Sequence, residues 1–381
     1  MYELTPGDAA RLDALYQRLT NETKTYIGYP NSKSLNHQNL APFLDLPLNN
    51  VGDPFLGNNG PNTCDVECEV VQFYGDLLHM QQDSFWGYVT NGGTEANLYG
   101  LYLARETYPN GIVYHSEDAH YSIPKAVKLL RMRSEIIGTT TSGEIRYADL
   151  RDAIKANRDR PAIVAANIGT TMKGAIDHVE KIMTAIRASG VKRHYIHCDA
   201  ALFGAYLPFL DGAPVFDFRL PVGSIAISGH KFLGSAIPCG VVLARKTYVD
   251  EIRASPEYIA SVDDTISGSR DGFSVLVLWH NVRRFGREGM AEMAHECLAN
   301  AEHTLHRLRE IDWPAWVNPY SNIVVIARPC DALVKKWQLA AQGSMAHVVV
   351  MPGVTRTMLD AFVDDIREAA ALEQASMPRA A

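Results

Sequence analysis

Between residue 66 and about 245 the chain alternates short, uninterrupted apolar runs with stretches of helical periodicity, and this alternation restricts the fold more than any other feature. The runs at 85–89, 112–114, 163–166, 195–197, 225–227 and 241–244 are continuous rather than alternately polar and apolar. That is the pattern of strands covered on both faces. Helical stretches are expected over 66–79, 94–106, 121–132, 147–157 and 178–189. Strands alternating with helices imply an α/β fold, a mostly parallel sheet flanked by helices. In such sheets ligands sit beyond the carboxyl ends of the strands.

The flanks read differently. Residues 7–20 form an amphipathic helix, with Leu12, Leu15, Tyr16 and Leu19 on one stripe, and 28–61 is an Asn-, Pro- and Gly-rich arm expected to be irregular. After about 273 a long helix over 275–310 precedes a strand (323–326), a helix (331–340), a strand (347–350) and a helix (355–372), a smaller α+β unit. The expected division is an N-terminal helix and arm (1–62), a large domain (63–272) and a small C-terminal domain (273–381). A net charge of -7 argues against nucleic acid or an anionic membrane as partner. No run approaches the ~18 apolar residues of a membrane span, and the start of the chain has neither a basic region nor an apolar run, so a cytoplasmic protein is expected. Six scattered cysteines, with only Cys64 and Cys68 close together, suggest free thiols rather than disulfides or a metal site.

Two of the apolar runs end in residues with chemistry. One continues into Cys198 and Asp199, the other into Ser228-Gly229-His230-Lys231. One strand therefore delivers a carboxylate and another an amine at the same edge. An enzyme using pyridoxal phosphate needs this pair: the amine forms a Schiff base with the aldehyde, and the acid holds the protonated pyridine nitrogen. At ~4 Å and an effective dielectric of ~20, such a pair gains roughly 4 kcal/mol, about three pKa units. Ser228 and His230 are candidates to reach the phosphate, with a plain polar turn as the alternative.

Thr90-Asn91-Gly92-Gly93-Thr94-Glu95 follows an apolar run and opens a helix. The N–H groups from Gly93 onward, the positive helix end and the Thr94 hydroxyl would suit a phosphate, although an ordinary helix start looks similar. His120, just before a helix, is a candidate to stack on a pyridine ring, to touch a substrate carboxylate or to donate a proton, with a helix cap or surface residue as the ordinary alternative. Asn167, Thr170 and Thr171 end the 163–166 run and could contact the ring oxygen or a carboxylate. The loop Thr265-Ile266-Ser267-Gly268-Ser269-Arg270 could give hydroxyls and a cation to phosphate or substrate, or be a solvated linker. Tyr258 is a candidate proton donor. Arg283, Arg284 and Arg287 read as a solvated helix face.

In this order and spacing, these stretches resemble the pyridoxal-phosphate group II amino-acid decarboxylases, above all the compact histidine decarboxylases of bacteria and the serine decarboxylases of plants. The likeness runs from Gly28-Tyr29-Pro30 to Met351-Pro352 and takes in Trp86 to Glu95, Ala166 to Thr171, Ser228 to Lys231, Ile237-Pro238-Cys239-Gly240 and Ile266 to Arg270. Leu48 to Gly57, and Trp337 to Ala340 with His347 to Pro352, are similar to the serine branch, whereas Asp199-Ala200-Ala201 follows the histidine-branch spelling. Ala96, Ala236 and Asp271 stand where glycine, proline and asparagine are usual, and 58–66 matches neither branch.

The resemblance implies a fold type I enzyme with a seven-stranded sheet, a small C-terminal domain and an obligate homodimer with shared active sites. It implies Lys231 as the Schiff-base lysine, Asp199 as the pyridine partner, His120 as the stacking residue, Ala201 under the other ring face, and Tyr258 on a mobile loop. Ser267 and Ser269 would then belong to a loop that reaches the neighbouring subunit's phosphate. The expected reaction is decarboxylation of L-serine to ethanolamine and CO2, with L-histidine as the alternative small amino-acid substrate. An aminotransferase would want an arginine such as Arg328 or Arg356 for the substrate carboxylate. A cofactor-free binding protein would have no use for both Lys231 and Asp199. A zinc enzyme would have to draw on His194, His197, Asp199 and His230 without a standard spacing.

Overall fold

The computed structural model describes residues 4–57, 59–81, 84–253 and 262–376, so Tyr258 lies outside the described residues. The chain opens with helix α1 (Pro6–Thr23), whose start is set by Pro6 and by the Thr5 hydroxyl, which accepts the Asp8 N–H at 3.2 Å. No α1 residue is buried, so Leu12, Leu15, Tyr16 and Leu19 face solvent. The arm expected to be irregular contains a 3-10 segment, Gln38–Asp45, and a short strand, β1 (Asn49–Val51).

The large unit then follows in order: α2 (Cys64–Leu77), β2 (Phe85–Thr90), α3 (Gly93–Thr107), β3 (Ile112–Ser116), α4 (Ser122–Leu129), β4 (Arg133–Ile137), α5 (Tyr147–Ala156), β5 (Ala162–Asn167), α6 (Val179–Ser189), β6 (His194–Asp199), β7 (Ser224–Ser228), β8 (Gly240–Arg245) and the short α7 (Lys246–Val249). Strands β2 to β8 form one seven-stranded sheet in the order β2-β8-β7-β6-β5-β3-β4. It is parallel apart from β8, which runs against both β7 and β2. All six residues of β5 and all five of β7 are buried, as continuous apolar runs require.

Strand β4 was not visible in the apolar pattern. It is an edge strand, and four of its five residues keep some exposure, so it carries no apolar run. The helix expected to reach 132 instead ends at Leu129, and Arg131 then takes a positive φ of 53° to turn the chain into β4.

The linker expected at 261–272 carries β9 (Ser269–Asp271), which pairs antiparallel with β1. Asp271 then caps the long α8 (Gly272–Glu310) by accepting the N–H groups of Phe273 and Ser274. This helix is broken at Gly286 (φ 58°) rather than continuous. The C-terminal unit adds β10 (Ala315–Val317), β11 (Ile323–Ala327), α9 (Asp331–Lys336), β12 (Ala340–Gln342), β13 (Met345–Val349) and α10 (Arg356–Ser376). Its sheet is antiparallel in the order β10-β11-β13-β12. The helix expected over 331–340 stops at Lys336, where Gln338 (φ 50°) turns the chain into β12. Among the described residues no two cysteines are joined by a disulfide.

Candidate active site

Asp199 is the last residue of β6, paired in register with Asn167 at the end of β5 and Ala226 in β7. Lys231, three residues beyond the end of β7, lies in a single π-helical turn, His230–Gly234. The strand ends therefore bring the acid and the amine into one pocket. It is also lined by His120, Asn167, Thr170, Thr171 and Ala201 from the large unit, by Tyr29 and Pro30 from the arm, and by Ile323, Ala340, His347 and Val349 from the small sheet. His347 ties these parts together, its two ring nitrogens lying 3.1 Å from the Met172 carbonyl and 3.0 Å from that of Gly28.

Burial lowers the Lys231 pKa from its ordinary value, and Asp199 opposes that shift. The Asp199 carboxylate accepts from the Asn97 amide at 2.9 Å and the Ala201 N–H at 3.2 Å. The His120 ring is held by Ser122, whose N–H and hydroxyl both meet Nδ1, at 3.2 and 2.7 Å. A nitrogen that accepts an N–H carries no proton, so the neutral ring is protonated on Nε2. Burial lowers the His120 pKa, Asp199 raises it and Lys231 lowers it again.

Asn167 donates to Ser116 Oγ at 3.0 Å and to Asp177 at 2.7 Å, and its own N–H also reaches Asp177. Asp177 is wholly buried, and burial pushes its pKa up to about 6. Asp177 was not singled out from sequence. Its only signal is a lone acid within an apolar stretch, and its partners Ile145 and Asn167 lie 32 and 10 positions away, in other parts of the fold. Thr170 is buried and accepts the Ala175 N–H at 3.0 Å.

The expected phosphate cradle has the right backbone. Gly92 adopts φ 142°, which L side chains rarely take, and a Cβ on Gly93 would stand 2.4 Å from Ser228 Oγ. Glycine here lets the start of α3 press against the end of β7, so free helical N–H groups, Thr94 and Ser228 come together. Other expected residues lie elsewhere. His230 Nδ1 sits 2.9 Å from the Cys239 carbonyl. Ser267 accepts from Asn91 and Ser269 from Asn49, each at 3.2 Å, and neither lines the pocket. Arg270 is not a solvent-facing cation. It is buried, paired with Glu67, and donates to the Gly52 carbonyl at 3.0 Å. Arg328 pairs with Asp331 and Arg356 with Asn300, away from the pocket, which leaves the aminotransferase reading without its arginine.

A lysine amine and a carboxylate at neighbouring strand ends, a small residue and a histidine in the same pocket, and a glycine-lined helix start beside Ser228 fit pyridoxal phosphate. Together with the seven-stranded sheet they define a fold type I enzyme using that cofactor. Residues 40–313 match the pyridoxal-dependent decarboxylase conserved domain, and the chain belongs to this family: it is a pyridoxal-phosphate-dependent amino-acid decarboxylase. Serine decarboxylase 2 of Oryza sativa subsp. japonica is 45% identical over 363 residues, covering 94% of this chain and 78% of that protein. The histidine decarboxylase of Mesorhizobium japonicum is 43% identical over 364 residues, covering 95% and 98%. The L-methionine decarboxylase of Streptomyces sp. 590 superposes with a TM-score of 0.90 at 27% identity, covering 97% of this chain and 96% of that one. No helix among the described residues is long and apolar enough to cross a membrane.

Proposed function

We propose that the chain decarboxylates L-serine to ethanolamine and CO2. The observation that carries this reading is a pair of hydroxyls, on Tyr29 and Thr171, in a pocket lining that is otherwise mostly apolar. Among the described residues the side chains beyond the cofactor-facing groups are Tyr29, Pro30, Thr171, Leu202, Ile323, Ala340, His347 and Val349. Tyr29 and Thr171 carry hydroxyls suited to a substrate hydroxyl. The lining has no carboxylate besides Asp199, which is already bonded to Asn97 and Ala201, and both His347 nitrogens face backbone carbonyls. An imidazole side chain is bulkier than the hydroxymethyl of serine and would find no acid among these lining residues to receive its N–H. The similarity to rice serine decarboxylase 2 supports the same substrate, and the similarity to histidine decarboxylases makes L-histidine the alternative.

Pyridoxal phosphate, when bound, supplies an electron-poor ring that takes up the electron pair left when the bond to the carboxylate breaks. Lys231 would hold it covalently, and its burial favours the neutral, nucleophilic amine. Asp199 would pair with the ring nitrogen. Gly93, Thr94 and Ser228 would hold the phosphate, with Asn167, Thr170 and Ala201 around the ring. A neutral imidazole whose single proton sits on Nε2 is a weak acid, so we assign His120 to packing and Tyr258 to protonation of Cα.

We further propose a homodimer, with the exposed stripe of α1 and the Ser267–Ser269 stretch facing a second copy. The experiment that tests the substrate is incubation of the purified protein with pyridoxal phosphate and L-serine or L-histidine, with quantification of both amines. Ethanolamine alone is expected. Histamine alone would overturn the serine reading and leave the decarboxylase intact.

A further inference from the structure

The groups proposed to flank the cofactor ring are joined, behind the pocket, by one asparagine. Asn97 lies on α3, and its amide makes three hydrogen bonds. Nδ2 donates to Asp199 Oδ2 and to Ser122 Oγ, each at 2.9 Å, and Oδ1 lies 2.9 Å from His197 Nε2. The orientation of the amide follows from chemistry, because a carboxylate can only accept. The Asn97 NH2 must face Asp199, its oxygen faces His197, and His197 therefore carries its proton on Nε2. His197 Nδ1 then accepts from the Ser224 hydroxyl at 2.8 Å, and Ser224 in turn accepts from the Tyr195 hydroxyl at 2.9 Å. On the other branch Ser122 uses its own proton on His120 Nδ1 at 2.7 Å. The donors and acceptors agree in direction from Tyr195 to Asp199 and to His120.

This network is inside the protein. Asn97, Ser122, Tyr195, His197 and Ser224 are each at most 1% exposed. The helix is shaped for it. Gly93, Asn97 and Gly100 fall on one face, and a Cβ on Gly100 would stand 2.2 Å from His197 Nδ1 and 2.7 Å from Ser224 Oγ. Glycine at 100 therefore makes room for the histidine that the Asn97 oxygen receives. Burial pushes the His197 pKa down to about 4, with Asp199 opposing, so the ring is a neutral, one-directional link. A buried network whose members are all satisfied is stiff, and losing one member leaves others unmet.

We propose that Asn97 is a positioning residue for the decarboxylation: it orients the Asp199 carboxylate toward the cofactor ring nitrogen and, through Ser122, keeps His120 as the Nε2-protonated neutral ring. The inference rests on the roles assigned above to Asp199 and His120. It predicts that His197 and His120 have the same tautomer, and that removing the Asn97 donors changes the cofactor without unfolding the protein.

The test uses Asn97→Leu, which loses all three bonds at similar volume, and Asn97→Asp, which retains an acceptor for His197 and puts in place of the two amide donors a carboxyl that can share at most one proton with Asp199. The full chain is loaded with pyridoxal phosphate. Retention of the cofactor on dilution and its visible absorbance against pH are measured. Histidine ring tautomers are read by nitrogen NMR on the cofactor-free wild type. Both variants should bind the cofactor roughly ten- to a hundredfold more weakly, the factor for one lost hydrogen bond to a charged group. The absorbance titration should move by about one pH unit or more. In Asn97→Asp the His197 Nε2–H signal should persist. Wild-type affinity with an unmoved titration in folded Asn97→Leu overturns the proposal. If neither variant folds, the wild-type spectra decide, and a proton on Nδ1 of His197 or His120 overturns it. Asp199→Asn separates the two levels. If it leaves the titration unmoved, the role of Asp199 fails; if it moves the titration and Asn97→Leu does not, only the role of Asn97 fails.

Discussion

Lys231 and Asp199 are legible in the sequence because each sits just past an apolar run long enough to mark a strand end, and the pocket lies where such ends meet. Lys231→Ala should reduce amine production to background and shift bound cofactor to the spectrum of the free aldehyde. Turnover near wild type in that variant would overturn the assignment of the lysine. His197 gives a residue-scale prediction of a different kind. Its folded pKa, near 4, is depressed below the ordinary 6.5, so above pH 6.5 both folded and unfolded states are neutral. As pH falls from 6.5 towards 4 the unfolded chain takes up a proton that the folded one refuses, and about 3 kcal/mol of stability is lost through this group. Thermal unfolding of cofactor-free wild type and His197→Gln across that window should show a smaller acid loss in the variant. Equal losses would refute it. Asn97 and Asp177 escaped the sequence reading, and His197 entered it only as a possible zinc ligand, because a buried polar residue declares itself only through partners. Theirs come from other elements, as with Asn97 and Asp199, which lie 102 positions apart.

At the scale of elements, the periodicities located most helices and strands, and the failures share a cause. Strand β4 is an exposed edge, β8 shows no sign in sequence of its reversed direction, and β1 and β9 are three residues each. The polar loop around Arg270 reads as solvated until β9 carries that arginine into the interior beside Glu67 of α2, where the pair is 1% and 0% exposed. The Arg270 guanidinium also lies over the Tyr88 ring, 5.2 Å from its centroid. Breaking a buried pair strands the remaining charge, so Arg270→Ala should cost about 3–5 kcal/mol, read as a lower midpoint in denaturant. Replacing both partners with apolar residues should cost much less. Equal losses in the two variants would show that the contact matters through shape and not charge.

At the scale of the molecule, the pocket is closed by three parts of the chain: the large sheet, the arm at Tyr29 and Pro30, and the small sheet at Ile323, His347 and Val349. A Cβ on Gly28 would stand 2.2 Å from the Gln338 carbonyl, so glycine lets the arm lie flat on the small unit. The unpartnered stripe of α1 belongs to this scale too. Leu15→Asp with Leu19→Asp should leave the fold intact and halve the mass measured by light scattering, since each leucine is exposed in one chain and buried in the proposed dimer. An unchanged mass would place the dimer contact elsewhere.

By itself the sequence determined the layered α/β plan, the cofactor chemistry and the lysine–carboxylate pair, because strand burial and strand-end position are written in local runs of residues. Only the tertiary structure decided that Asn97 joins Asp199 to His120, that Arg270 is an interior ion pair, and which side chains line the pocket. Those outcomes depend on distance between residues far apart in the chain, and neither periodicity nor composition encodes it.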